Sequence, residues 1–296
     1  MSDDLVSLRK ISASNFAWAK RWFWAFWLSQ AVAFVVNALT AFSAFPPIWG
    51  TLIGFLLATV AELLRWRSDT LRSKAEMFKR KSEMLDGFDG YDFSSDVANE
   101  LAAKTGGTYD FKDEDLLKGM EFASTGTKGP RRALEHLHES AWFSKHLAKR
   151  AAITATVCLV ITLGVAIFAL IFAIAAVQGQ LAATSNVPTG SPNVNNSSAS
   201  QIVGTVVCGV LTFLISINLF RYCFELFHFS ASASEAVRTI EEMAKTKEDD
   251  IAKTQSLLFE YQLARQAAPM IPTVIWKWNH EWLNRLWPEA SKKLRS

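Results

Sequence analysis

Charged side chains vanish from two stretches of the chain. Trp22 to Ala61 runs 40 residues, and Ala151 to Phe220 runs 70 residues, without an Asp, Glu, Lys or Arg. A helix rises about 1.5 Å per residue and the hydrocarbon of a bilayer is about 30 Å thick, so about 20 apolar residues make one crossing. The shorter stretch therefore predicts two spans, about 22–42 and about 48–64. The Ser43-Ala44-Phe45-Pro46-Pro47 break parts them, because two prolines remove backbone donors. The longer stretch exceeds two spans, and its middle, Gly179 to Ser200, is rich in Asn, Ser, Thr, Gly and Pro. It reads as spans at about 151–177 and 201–220 with a solvated loop between them.

Outside the spans the apolar positions keep a helical period. Leu64, Leu71, Phe78 and Leu85 recur every seven residues, with no Pro or Gly from Thr59 to Asp86. One helix is expected from Ile48 to Asp86. The fourth span is expected to continue likewise through Val237, Ala244, Ile251 and Leu258, with Ile240 on the same face. A helix from near Arg131, with Leu134, Leu137 and Ala141, enters the third span. Between them, the glycine-rich region from Gly87 to Pro130 leaves room for short helices at 92–103 and 113–123, and no segment reads as a strand. The expected fold is all-α: a four-transmembrane helical protein whose long helices extend into a cytoplasmic helical bundle. It divides into 1–64 (first hairpin), 65–150 (cytoplasmic insert), 151–220 (second hairpin) and 221–296 (cytoplasmic extension and tail). Ala61-Glu62-Leu63 and Phe224-Glu225-Leu226 each close a hairpin before a long helix, the pattern a duplicated two-span unit would leave.

Charge adds orientation. Lys and Arg precede the first span (Arg9, Lys10, Lys20, Arg21), follow the second (Arg65, Arg67, Arg72, Lys74, Lys79, Arg80, Lys81) and precede the third (Lys145, Lys149, Arg150), while the loops 43–47 and 179–200 hold none. Positive charge stays inside, so both termini and the insert are expected to be cytoplasmic in a multi-pass membrane protein. Trp18, Trp22, Trp24, Trp27, Trp66 and Trp142 fall at the expected inner interface, and Trp49 at the outer one. Lys20 and Arg21 could open a signal peptide, but the apolar run exceeds a typical h-region and no cleavage site follows. A net charge of +3 is too small for a nucleic-acid polymer partner. Cys158, Cys208 and Cys223 show no paired spacing, so neither disulfide nor zinc site is indicated.

Catalytic signatures are lacking. His136 and His138 fall on opposite sides of a helix, unlike zinc ligands four apart, and read as surface residues. Gly126-Thr-Lys-Gly129-Pro lacks the ending of a phosphate loop and reads as a turn. The chain is not expected to be an enzyme or to carry a cofactor. What remains is polarity inside the spans. Thr154, Cys158 and Thr162 share a face of the third, and Thr205, Gly209, Thr212 and Ser216 follow a 4, 3, 4 spacing in the fourth. Such stripes suit either close helix packing or the wall of a water-filled path. On the second reading Glu62 and Glu225 would ring its cytoplasmic mouth; otherwise they snorkel or pair with Arg65 and Arg221. Asn37 is a strongly polar residue deep in the first span. The tail from Thr273 to Trp287 gathers Ile275, Trp278, Trp282 and Leu286 on one face, widened by Trp276, Leu283 and Trp287, either to lie on the inner leaflet or to dock on the bundle.

Two segments carry a family resemblance: Gly129-Pro-Arg131-Arg132-Ala-Leu-Glu135-His-Leu-His-Glu139-Ser140-Ala-Trp142-Phe-Ser-Lys-His-Leu147, and Tyr261-Gln-Leu-Ala-Arg265-Gln-Ala-Ala-Pro269-Met-Ile-Pro272-Thr-Val-Ile-Trp276 with Leu283-Asn284-Arg-Leu-Trp287. With the four-span plan and long insert, they resemble the SMODS-associating four-transmembrane effector family over nearly the whole chain. The resemblance implies a pore-forming effector of bacterial anti-phage defence. A cyclic nucleotide from a neighbouring nucleotidyltransferase would activate it through the cytoplasmic region, and it would permeabilise the inner membrane and stop the infected cell. Because four spans of one chain leave no space for a water column, a pore calls for a homo-oligomer. A ligand-gated or constitutive ion channel unrelated to defence, and a membrane-anchored helical scaffold, are the alternatives.

Overall fold

The computed structural model describes residues 3–41, 47–87, 127–184, 195–246 and 250–295. These form six helices: α1 (Asp3–Ala41), α2 (Pro47–Gly87), α3 (Pro130–Thr184), α4 (Asn195–Thr246), α5 (Ile251–Ala267) and α6 (Thr273–Arg295). No strand occurs among the described residues. Of these helices, α2 and α3 are long and apolar enough to cross a membrane. The expected short helices at 92–103 and 113–123 lie outside the described residues.

The chain makes two compact units. One holds residues 1–21, 67–152 and 224–296; the other holds 22–66 and 153–223.

The first unit is built on seams of period near 3.5. On α1, Leu8, Ser12, Asn15 and Ala19 are buried, and on α2 Ser68, Leu71, Ala75, Phe78 and Ser82. The Ser12 hydroxyl donates to the Ala75 carbonyl and the Ser68 hydroxyl to the Ala19 carbonyl, both at 2.9 Å. Seven residues forward on one helix match seven back on the other, so the pair is antiparallel. Side chains this small let the backbones approach until a hydroxyl bridges them. On α4, Leu226, Phe229, Ala233, Val237 and Ile240 form the corresponding seam, and Ser230 donates to the Lys145 carbonyl at 3.1 Å.

Contrary to the expected continuation, α4 ends at Thr246 and a separate helix begins at Ile251. Asp250 is the reason. Its backbone is extended (φ −77, ψ 113) and its carboxylate accepts from the amides of Ala252 and Lys253, so it caps a new helix where the heptad alone would run on. The Lys128–Gly129 turn is fastened instead of free: Gly129 N–H donates to the Gly87 carbonyl at 2.8 Å and Lys128 to the Leu85 carbonyl at 2.9 Å.

In the second unit the outside is apolar. Leu28, Val32, Val35 and Leu39 on α1, Phe55, Leu56 and Val60 on α2, and Val157, Val160, Ile161 and Phe168 on α3 are all exposed. Its interior mixes rings with polar groups. Phe23 and Trp27 pack on Tyr222 at 6.1 and 5.5 Å between ring centres, while Gln30, Asn37 and Thr40 are buried. Gly50 is buried where α1 passes, and a Cβ built there would overlap the Thr40 side chain.

Candidate functional site

Polar groups of the second unit are the first candidates. Thr154 and Cys158 are exposed on α3; Thr162 is half-buried, and its hydroxyl donates to the Cys158 carbonyl of its own helix at 2.8 Å. The structure describes the backbone of Thr205, Gly209, Thr212 and Ser216 within α4 but not their side chains. Glu62 is exposed and is joined to Arg65 through Asn218, whose amide donates to Glu62 at 2.9 Å and accepts from Arg65 at 3.3 Å. The pairing with Arg65 that the sequence offered as one alternative thus runs through a third residue, and Asn218 carried no signal because it sits in α4, far along the chain. Glu225 belongs to the other unit and is half-buried.

Asn37 is buried at 1% exposure, and Gln30, which the sequence did not single out, joins it at 3%. The two are seven residues apart on one face of α1. Neither the Asn37 amide oxygen or nitrogen nor the Gln30 amide oxygen has a hydrogen-bond partner among the described residues.

The first unit has a charged centre that sequence reasoning missed. Arg265 on α5 reaches Glu76 at 3.1 Å, the Ser140 hydroxyl at 2.8 Å and Glu83 at 3.9 Å. Arg72 donates to the Arg265 carbonyl at 2.6 Å. The Tyr261 hydroxyl sits 2.8 Å from the Ser144 hydroxyl and 3.0 Å from the Ser140 carbonyl. Burial alone would depress the Arg265 guanidinium, but Glu76, Tyr261 and Glu83 outweigh it and raise it above its ordinary value. Burial pushes the Tyr261 phenol up, and burial together with Arg265 pushes the Lys79 ammonium down. A second knot forms on Asp86, which binds Arg132 at 2.8 Å and Arg9 at 3.2 Å, with His136 Nδ1 at 3.9 Å. Arg9, Asp86 and Arg132 come from α1, α2 and α3, so one carboxylate ties three helices. Glu76, Glu83 and Asp86 lie within one eleven-residue stretch of α2, and only folding brings the arginines of α1, α3 and α5 to them.

Both histidines are buried, not on the surface. His138 lies 3.8 Å from Glu241 and its ring is 5.5 Å from Trp287. For His138 the reason is α6, which docks on α3, whereas His136 faces Asp86 of α2. Trp287 packs on Trp142 and Phe143 at 5.4 and 5.7 Å, so Trp142 is a core residue where the sequence placed it in an interfacial belt. The docked face of α6 is Ile275, Asn279 and Leu283, while Trp278, expected on the apolar face, is 75% exposed. Asn279 can be buried because its amide donates to the Ile275 carbonyl at 2.7 Å. Arg150 stacks over Trp282 at 4.5 Å. No group of three or more His, Cys, Asp or Glu among the described residues is placed to hold a metal ion.

The geometry defines a class: a helical protein with one unit apolar outside and polar within, and a second unit fastened by buried ion pairs. No family model, curated protein or solved structure matches the chain.

Proposed function

We propose that the chain is a four-span inner-membrane protein that acts as a pore-forming effector of anti-phage defence, switched on by a cyclic nucleotide. The inversion of the second unit carries the membrane part of this reading. Water drives apolar side chains inward, and a unit that turns Leu28, Val32, Phe55, Val160 and Phe168 outward while burying Gln30 and Asn37 suits lipid as its solvent. Spans at 22–42, 48–64, 151–177 and 201–220 place the first unit and both termini in the cytoplasm under the positive-inside rule. Thr154 and Cys158 are exposed on a single chain, on a surface that an axis shared by several copies would meet. The nucleotide and defence parts rest on the family resemblance.

Expression with a cyclic-nucleotide synthetase should collapse the membrane potential, followed with a voltage-sensitive dye, and expression of the chain alone should not. Collapse without the synthetase would favour a constitutive channel. An intact potential under both conditions would leave the scaffold reading.

A further inference from the structure

Among the buried polar side chains of α1, Gln30 and Asn37 stand apart from Ser12, Asn15 and Thr40. Ser12 bridges to α2, Asn15 donates to the Ile11 carbonyl at 2.9 Å, and Thr40 donates to the Val36 carbonyl at 2.8 Å. A buried polar side chain on a helix thus has a cheap solution in its own preceding turn, and Asn15 and Asn279 both use it. Asn37 does not: among the described residues both its amide atoms are without a partner, as is the Gln30 oxygen. An unpaired amide in an apolar interior is costly, more so where no water reaches. Leucine at either position would suit this arrangement better.

Spacing gives the pair a shared direction. Seven residues at about 1.5 Å each set Gln30 and Asn37 about 10 Å apart along one line of α1, with Ala33 between them, itself buried at 1%. The contact of α1 with α2 at Gly50 falls on Thr40, whose side chain fills the space a Cβ would take, and not on Gln30 or Asn37. The reverse face of α1, Leu28, Val32, Val35 and Leu39, is uniformly apolar and exposed. A second copy of the chain cannot pair with Gln30 or Asn37 unless the unit first opens, because both are enclosed within one chain. Thr162, by contrast, has already spent its proton on its own helix.

We propose that this unit has a second, opened arrangement in which Gln30, Ala33 and Asn37 line a water-filled path, with water and hydrated small ions as the groups the two amides bind. The arrangement described here is then the closed one, held less firmly because it leaves the amides unpaired. This inference rests on the membrane reading of the second unit and moves the wetted wall from the hydroxyl stripe of α3 to the amide stripe of α1.

The test uses the full chain in lipid vesicles, with C158S, C208S and C223S removing the native thiols, and single cysteines at Ala33→Cys on the amide face and Val32→Cys and Val35→Cys on the opposite face. A charged, membrane-impermeant methanethiosulfonate is the probe. The cysteine at 33 should react at least about tenfold faster than those at 32 and 35. Adding Gln30→Leu and Asn37→Leu to the Ala33→Cys chain should slow it about tenfold or more, since relief of one unpaired amide is worth that factor. Should leucine impair assembly, Asn37→Ala removes the amide without added bulk and should slow the reaction in the same sense. Equal reactivity on both faces, no reaction at 33, or a rate indifferent to loss of the amides would overturn the proposal. Because the readout is chemical, a reactive cysteine at 33 in a chain that conducts no ions would leave the wetted wall standing and remove the pore. Ion flux with an unreactive cysteine at 33 would do the reverse.

Discussion

Arg265 shows how much one side chain carries when its charge is buried among partners. Replacing it with Met takes from the largely buried Glu76 its arginine and leaves Glu83 with Lys79 and Gln262 alone, and breaking such a buried pair costs about 3–5 kcal/mol. Arg265→Met should therefore lower the thermal midpoint sharply, and adding Glu76→Leu should recover much of the loss; equal midpoints for the single variant and the parent would deny the network its role. His146 makes a pH prediction. Burial first, then Lys145, Lys149 and Arg150, push its imidazole below the ordinary value. The unfolded chain then binds that proton first as pH falls from about 6.5. Its contribution to stability is full above that pH, declines down to the lowered folded value and stays lost below it. His146→Gln should flatten this part of the acid limb of a stability-against-pH curve. The histidines also show where single residues mislead: the spacing of His136 and His138 argued against zinc, but nothing in it told that His136 would lie against Asp86 of α2 and His138 against α4 and α6.

Among the elements, α6 separates burial from hydrophobicity. Leu283 is wholly enclosed, whereas Trp278 is three-quarters exposed on the same helix. Leu283→Ala should cost about 2–5 kcal/mol and expose the α6 backbone to hydrogen exchange, while Trp278→Ala should stay within about 0.5 kcal/mol. Comparable losses for both would mean that the helix docks by another face. At the start of α5, Asp250→Ala should cost about 1 kcal/mol, read as faster exchange of the Ala252 and Lys253 amides. Helix existence was legible from apolar periodicity: α2 was expected as Ile48–Asp86 and is Pro47–Gly87, and α3 was expected from near Arg131 and begins at Pro130. The break between α4 and α5 was not, because Ile251 and Leu258 continue the heptad and the cap that interrupts it is one aspartate. Nor was the rotation of α6. Asn279 looks polar, yet it sits in the docked face by satisfying its amide in its own helix, which turns Trp278 outward.

For the whole molecule, the charge-free stretches made the membrane reading legible, and the positive-inside rule turns it into a topology. A reporter fused after Ser185 should be active only in the periplasm and one after Gly107 only in the cytoplasm; the reverse pair of results would reject the orientation, and two cytoplasmic results would reject the second hairpin. The candidate site was less legible. Asn37 announced itself by its isolation in an apolar run, but Gln30 lies nearer the charged Lys20-Arg21 end of that run, where polar residues attract little notice. That it shares a buried line with Asn37 emerges from the packing of α1 against its neighbours. The ion pairs of the first unit were invisible for a related reason: each arginine finds its carboxylate across tens to hundreds of residues, and no local pattern encodes that meeting.

Two glycines with the same letter in the sequence will behave as opposites under selection. At Gly50 a single methyl would occupy space already filled by Thr40, whereas at Gly164 an added methyl would meet nothing within 4 Å. In a saturation library scored for folded, membrane-inserted protein, every replacement at 50 should be depleted, alanine included, while 164 should accept alanine and leucine and gain enrichment from their stronger helix preference. The few replacements that survive at 50 should be accompanied by a second change at Thr40 to serine or alanine. Such a compensating pair would be a record, written in survivor counts alone, of where two helices touch.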